Sequence, residues 1–246
     1  MSKFAVIIPA AGQSSRFGGI EKKPFVSLDG RPVWLRSAEL FWSRPDVSRV
    51  YLVISPDDRD DFRTRFGHLM MFANAEVVAG GAERFESVAN ALAKVTDAEF
   101  VAVHDAVRPL VLTRHIDAVF DATREHGAAM LGVPLADTLK RVGENDTITE
   151  TIPRAGLWQA QTPQAFRRDW LTEAYANRAK LGAAITDDAQ LVEASGRPVR
   201  VVAGTAANFK ITTKDDLELA EAVVRARAKP AEEKPTARGF GDEAEW

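Results

Sequence analysis

Six short apolar runs, set apart by stretches of helical length, leave this chain few ways to fold. Phe4 to Ile8, Val50 to Ser55, Ala75 to Ala79, Phe100 to Val103, Ala128 to Val133 and Val199 to Val202 are rich in valine, isoleucine and alanine. Runs this short and this apolar read as strands buried on both faces. Between them, Trp34 to Trp42, Asp57 to Phe66, Arg84 to Val95 and Thr113 to His126 read as helices. Phe85, Val88, Leu92 and Val95 fall near helical spacing, and acidic residues at the start of the Asp57 segment suit the helix dipole. Further on, Arg167 to Lys180 reads as a helix stopped by Gly182, and Thr186-Asp187-Asp188 as the cap of a helix reaching about Ala194. Asn208 to Ile211 reads as a short extended segment before a helix from Thr213 to about Ala228. Alternation of this kind predicts an α/β domain with a mostly parallel sheet covered by helices on both faces.

Two regions break the rhythm. Around residues 136–157, Asp137 to Val142 and Thr147 to Ile152 alternate about the polar turn Gly143-Glu144-Asn145-Asp146, the pattern of a β-hairpin. Its threonine-rich strands hold too few large apolar residues for a core of their own, and an isolated hairpin is marginal in water. A projecting arm that packs against a second subunit is therefore expected. From Lys229 to Trp246 the composition turns to proline, glycine and charge, which predicts a disordered tail after a domain spanning residues 1–228.

Composition narrows the chemistry. The absence of cysteine excludes disulfides, zinc–thiolate sites and cysteine nucleophiles. A net charge of −3 over 246 residues offers no general attraction to nucleic acid or anionic membrane, so a basic site must be local. No apolar run is long enough to span a bilayer and no signal peptide is read at the N-terminus, so a cytoplasmic protein is expected.

In open α/β sheets, ligands bind beyond the carboxyl ends of the strands, and the informative residues fall there. The first run ends at Pro9 and opens into Ala10-Ala11-Gly12, then Arg16, Lys22 and Lys23. Small side chains let backbone N–H groups converge on an anion, arginine adds a forked donor, and lysine a compact charge. Neither of two familiar phosphate fingerprints, the P-loop and G-x-G-x-x-G, is present, so this loop binds polyphosphate or is an ordinary connection with solvated charges. Gly80-Gly81-Ala82-Glu83-Arg84 and Ser87 follow the third run, and His104-Asp105-Ala106-Val107-Arg108 the fourth. Asp105 and Arg108 either pair structurally or orient a hydroxylated, phosphorylated substrate; Lys210 either approaches the same rim or is solvated.

The ordered segments PAAGQSSRFG with Lys23, GGAERFESV, VHDAVRP, DTLKR, PRAGLWQAQTPQAF, ITDDAQLVE and NFKITTKDDL resemble the 2-C-methyl-D-erythritol 4-phosphate cytidylyltransferase family from about residue 4 to 227. The resemblance implies a Rossmann-like sheet of nucleotidyltransferase type with a β-arm. It also implies cytidylyl transfer from CTP to methylerythritol phosphate, with Mg²⁺, on a non-mevalonate route to isoprenoid precursors. By the same resemblance Arg16, Lys23 and Lys210 serve the phosphates and the transition state. Ala10, Ala11, Gly12, Gly81 and Ser87 shape the nucleotide pocket. Asp105, Arg108 and Thr186 hold the acceptor, and Thr162 supports the site or the structure. Thr138 and Arg154, on the arm, reach the acceptor phosphate of the neighbouring subunit in a homodimer. Mg²⁺ bridges the triphosphate, with Asp105 as the best protein ligand if there is one. Lys22-Lys23-Pro24 replaces a commoner Pro-Lys-Gln pattern, which leaves either lysine available, and Ala82 stands where many relatives carry an acid. Two other functions are compatible with the sequence: a pentitol-phosphate cytidylyltransferase using ribitol 5-phosphate, and a non-catalytic nucleotide-binding regulator.

Overall fold

The computed structural model describes residues 3–12, 22–71, 73–180 and 185–228. The chain begins with β1 (Phe4–Pro9), a small ribbon of β2 (Ser27–Leu28) and β3 (Arg31–Pro32), α1 (Val33–Trp42) and β4 (Val47–Ile54). Then come α2 (Arg59–Met70), β5 (Ala75–Ala79), α3 (Arg84–Leu92), β6 (Phe100–Val103), α4 (Thr113–His126) and β7 (Ala128–Pro134). The arm follows as β8 (Leu139–Val142) and β9 (Ile148–Ile152). The last elements are β10 (Trp158–Arg167), α5 (Arg168–Asn177), α6 (Asp188–Ala194), β11 (Arg200–Ala203) and α7 (Lys214–Ala228).

The central sheet has seven strands in the order β11-β7-β10-β6-β1-β4-β5. Successive side chains of β1 point to opposite faces. Phe4, Val6 and Ile8 join a core with Trp34, Phe41, Phe62, Phe66 and Phe120, which come from α1, α2 and α4. Ala5 and Ile7 join a second core with Val88, Leu92, Leu171 and Leu191, from α3, α5 and α6. Burial on both faces is why the strand runs carry so little polar alternation, and the expected two-sided parallel architecture holds.

The sequence did not suggest β10. It lies between β6 and β7, antiparallel to both, pairing Ala165 with Ala102 and with Ala129. Gln159, Gln161, Thr162 and Gln164 disguise it, and Pro163, which has no N–H to donate, falls where the register with β7 breaks between Ala160 and Gln164. Asn208 to Lys210 is not a strand: it is a loop fastened by side-chain bonds. Several helix ends also shift, α3 stopping at Leu92 and α5 at Asn177. The arm forms as expected, β8 and β9 making a separate two-stranded sheet with Lys140 opposite Thr151. The segment holding Arg16 and the tail from Lys229 lie outside the described residues.

Candidate active site

A cleft opens beyond the carboxyl ends of β1, β5 and β6, lined by Ala10, Ala11, Gly12, Lys23, Gly81, Ser87, Arg84, Asp105 and Lys210 among others. Its small-residue wall follows from close packing of two loops. Ala10 donates its N–H to the Val53 carbonyl and Gly80 its N–H to the Ile54 carbonyl, both at 2.8 Å, so each loop leaves its strand still in register with β4. A Cβ at Gly80 would meet the Ala11 Cβ at 2.6 Å and Ser87 Oγ at 3.0 Å, so only glycine lets the loops meet. Ser87 Oγ accepts the Gly81 N–H at 3.1 Å. Glu86 and Glu83 form a capping box at the start of α3, and Glu86 also accepts the Ala82 N–H at 2.7 Å.

Asp105 lies at the centre of the charges. Its Oδ2 is 3.0 Å from Lys210 Nζ and 3.5 Å from Arg108 Nε, and its Oδ1 is 3.6 Å from Arg84 Nη2. Burial alone would raise its pKa, but Lys210, Arg84 and Arg108 outweigh that and hold it well below the usual carboxylate range. Lys23 lines the same cleft, whereas Lys22 is bound to Asp58 at 2.7 Å. Of the two lysines the sequence offered, with Lys23 favoured by the resemblance, Lys23 is the one that lines the cleft.

Beneath the cleft, a buried polar layer ties three loops together. Thr162 Oγ1 accepts the Asp105 N–H at 3.1 Å and lies 3.1 Å from His104 Nδ1, while His104 Nε2 lies 3.0 Å from the Arg108 carbonyl. With Thr162 donating to Nδ1, Nε2 carries the ring proton and donates to Arg108, so the imidazole braces both ends of the Asp105–Arg108 turn. Burial lowers the His104 pKa to about 4, although Asp105 opposes this, and the ring is neutral. Asn208 donates to the Thr162 carbonyl at 3.0 Å and accepts Arg108 Nη1 on its own carbonyl at 2.8 Å, which fixes the loop that carries Lys210. Burial also lowers the Arg108 pKa against the pull of Asp105.

Four expected site residues are not part of the cleft wall: Arg108 meets it through Asp105, and Thr138, Arg154 and Thr186 stand apart from it. Thr138 and Arg154 are exposed and flank the strands of the arm, and exposed Thr186 gives its N–H and hydroxyl to Gln190 Oε1. Arg16 falls outside the described residues, so of the three expected phosphate cations the cleft brings together Lys23 and Lys210. The sequence left two participants without a role. Arg84 was visible in the glycine-led loop, but its partner Asp188, 104 positions away, was concealed behind the capping Asp187. A cation in the first turn of a helix, against the helix dipole, was the available signal. Among the described residues no group of three or more His, Cys, Asp or Glu could hold a metal ion. Asp105, encircled by three cations, does not fit as a ligand for a dication.

The sequence model of the 2-C-methyl-D-erythritol 4-phosphate cytidylyltransferases matches residues 4–226. The chain belongs to this family. A 2-C-methyl-D-erythritol 4-phosphate cytidylyltransferase of Bacillus velezensis is 41% identical over 92% of this chain and 97% of its own. A bifunctional IspD/IspF enzyme of Desulforudis audaxviator is 45% identical over 91% of this chain, which spans 57% of that protein. The crystal structure of the Thermus thermophilus 2-C-methyl-D-erythritol 4-phosphate cytidylyltransferase superposes with a TM-score of 0.75 at 34% identity, covering 91% of this chain and 99% of the other. The family is one of nucleotidyltransferase enzymes, and membership accounts for the mostly parallel sheet.

Proposed function

We propose that this chain transfers the cytidylyl group of CTP to 2-C-methyl-D-erythritol 4-phosphate, giving CDP-methylerythritol and pyrophosphate, as a Mg²⁺-assisted homodimer in isoprenoid-precursor synthesis. The observation that carries the proposal is the opening of Lys23 and Lys210 onto one small-walled cleft beside Asp105. An acceptor phosphate oxygen attacks the α-phosphorus of CTP, a P–O bond forms, and the bond to the leaving pyrophosphate breaks with its electron pair. No side-chain base is needed, because a phosphate monoester has a second pKa of about 6 and is largely dianionic at neutral pH. The difficulty is repulsion: two unit charges about 4 Å apart cost about 4 kcal/mol at an effective dielectric of about 20. Lys23 and Lys210 offset that repulsion and stabilise charge on the transferring phosphoryl group, a role in which Arg16 joins them.

Lys210, 41% exposed and 3.0 Å from Asp105, is placed to turn from the carboxylate to a phosphate oxygen. Arg108, held at its far end by the Asn208 carbonyl, stays with Asp105 and faces the acceptor. Mg²⁺ would be held by the triphosphate, where it neutralises phosphate charge. Arg154 and Thr138, exposed at the base of the arm, are proposed to complete the acceptor site of a second subunit. Val142 and Ile148, 52% and 58% exposed, support a subunit contact through the arm. No helix of the described residues is long and apolar enough to cross a membrane, and both substrates are multiply charged, so we assign the reaction to the cytoplasm. The decisive assay measures pyrophosphate release from CTP and the other nucleoside triphosphates, with methylerythritol phosphate and ribitol 5-phosphate as acceptors. Turnover confined to CTP and methylerythritol phosphate is expected; preference for ribitol 5-phosphate, or no release with any pair, would reject the proposal.

A further inference from the structure

Arg84 is in an unfavourable place for an ordinary structural arginine. It occupies the first turn of α3, where the helix dipole disfavours a cation, and its Nη1 is buried with no hydrogen-bond partner among the described residues. Two carboxylates hold it there. Nη2 donates to Asp188 Oδ2 at 2.8 Å and lies 3.6 Å from Asp105 Oδ1. Asp188 is fully buried, and its other oxygen accepts the Tyr175 hydroxyl at 2.5 Å. The three cations around Asp105 therefore differ in mobility. Lys210 has a half-exposed ammonium, whereas Arg84 is clamped from behind by a carboxylate that α5 and α6 together fix in the core.

We infer that Arg84, anchored by Asp188 and Tyr175, is a positioning residue that holds Asp105 in place for the acceptor once Lys210 has turned to the phosphates. The inference rests on the reading of Asp105 as an acceptor-side residue. Neither Asp188 nor Tyr175 lines the cleft; they act through Arg84. Their contribution should therefore show in acceptor use rather than in nucleotide use.

Steady-state kinetics of the full chain with CTP and methylerythritol phosphate test it in Arg84→Met, Arg84→Lys, Asp188→Asn and Tyr175→Phe. Arg84→Met should raise KM for the acceptor about 10- to 100-fold and KM for CTP less than about 3-fold, and Arg84→Lys should fall between it and the parent. Asp188→Asn and Tyr175→Phe should shift the acceptor KM in the same direction, and adding Asp188→Asn to Arg84→Met should add less than about 3-fold, because the two act as one unit. Should Arg84→Met fail to fold, Arg84→Lys and Tyr175→Phe carry the test. Equal shifts in both KM values, or a fall in kcat matched by a smaller folded fraction with both KM values unchanged, would overturn the inference. A parent chain that releases no pyrophosphate would instead overturn the assigned reaction, so the two failures are distinguishable.

Discussion

Lys210 and Asp105, 3.0 Å apart, illustrate how a single ion pair can be poised for exchange rather than stability. Lys210 is half-exposed and can reach a phosphate. Asp105, which is buried, keeps Arg84 and Arg108 beside it when Lys210 turns away, which limits the cost of the exchange. Lys210→Ala and Lys23→Ala should each lower kcat by about 10²- to 10³-fold while CTP affinity changes much less, as loss of a preorganised transition-state donor does. Single-turnover rates set beside CTP titrations check this; kcat unchanged in both variants would remove the lysines from the chemistry. His104 makes a prediction about stability instead. The unfolded chain binds a proton at this imidazole near pH 6.5, whereas the folded chain refuses it until about pH 4. Protons therefore favour the unfolded chain throughout that window, and about 3 kcal/mol is lost as pH falls from 6.5 to 4. Urea unfolding at pH 7 and pH 4.5, compared between the parent and His104→Asn, should show a steeper loss in the parent; parallel pH dependences would contradict a buried neutral ring.

At the scale of elements, much of the fold was legible because the central strands β1, β4, β6 and β7 are buried on both sides. Phe4–Pro9 or Phe100–Val103 then needs no partner to be recognised: its apolar run suffices. β10 was illegible for the opposite reason, since Gln161, Thr162 and Gln164 bond to the segments that pack against it and Pro163 argues against a central strand. Asp105, Arg108 and Lys210 stood out as candidates because they follow strand-like runs, where ligands bind. Arg84, Asp188 and Tyr175 did not, because their meeting depends on how α3, α5 and α6 pack, which no local pattern encodes. The junction of α4 and β7 gives an element-scale test. Gly127 ends α4 at φ +86°, and a Cβ there would meet Trp170 Cη2 at 2.5 Å. Gly127→Ala should cost about 2–4 kcal/mol, from a left-handed backbone and a displaced ring together. A change below about 0.5 kcal/mol in urea unfolding would show that the turn and Trp170 relax readily.

At the scale of the molecule, the arm raises the question of why a hairpin with almost no core persists. β8 and β9 bury little, their apolar pairs Leu139–Ile152 and Val142–Ile148 form no larger cluster, and two strands alone are marginal in water. A partner surface resolves this if each subunit lends its arm to the other's cleft, with a two-fold axis making the loan reciprocal. Arg154→Ala should then raise KM for the acceptor far more than for CTP while leaving its own cleft intact. Lys23→Ala should disable its own cleft while leaving its arm intact. When the two chains pair at random, half of the dimers are mixed, and each mixed dimer holds one cleft with a sound lysine facing a sound arm. Co-expressed in equal amounts and assayed at acceptor well below KM, the pair should recover roughly one quarter of the parent activity, although each variant alone is nearly inactive. Activity no greater than the mean of the separate variants, in a preparation shown by ultracentrifugation to contain dimers, would mean that each cleft is completed within its own chain and that Arg154 acts elsewhere.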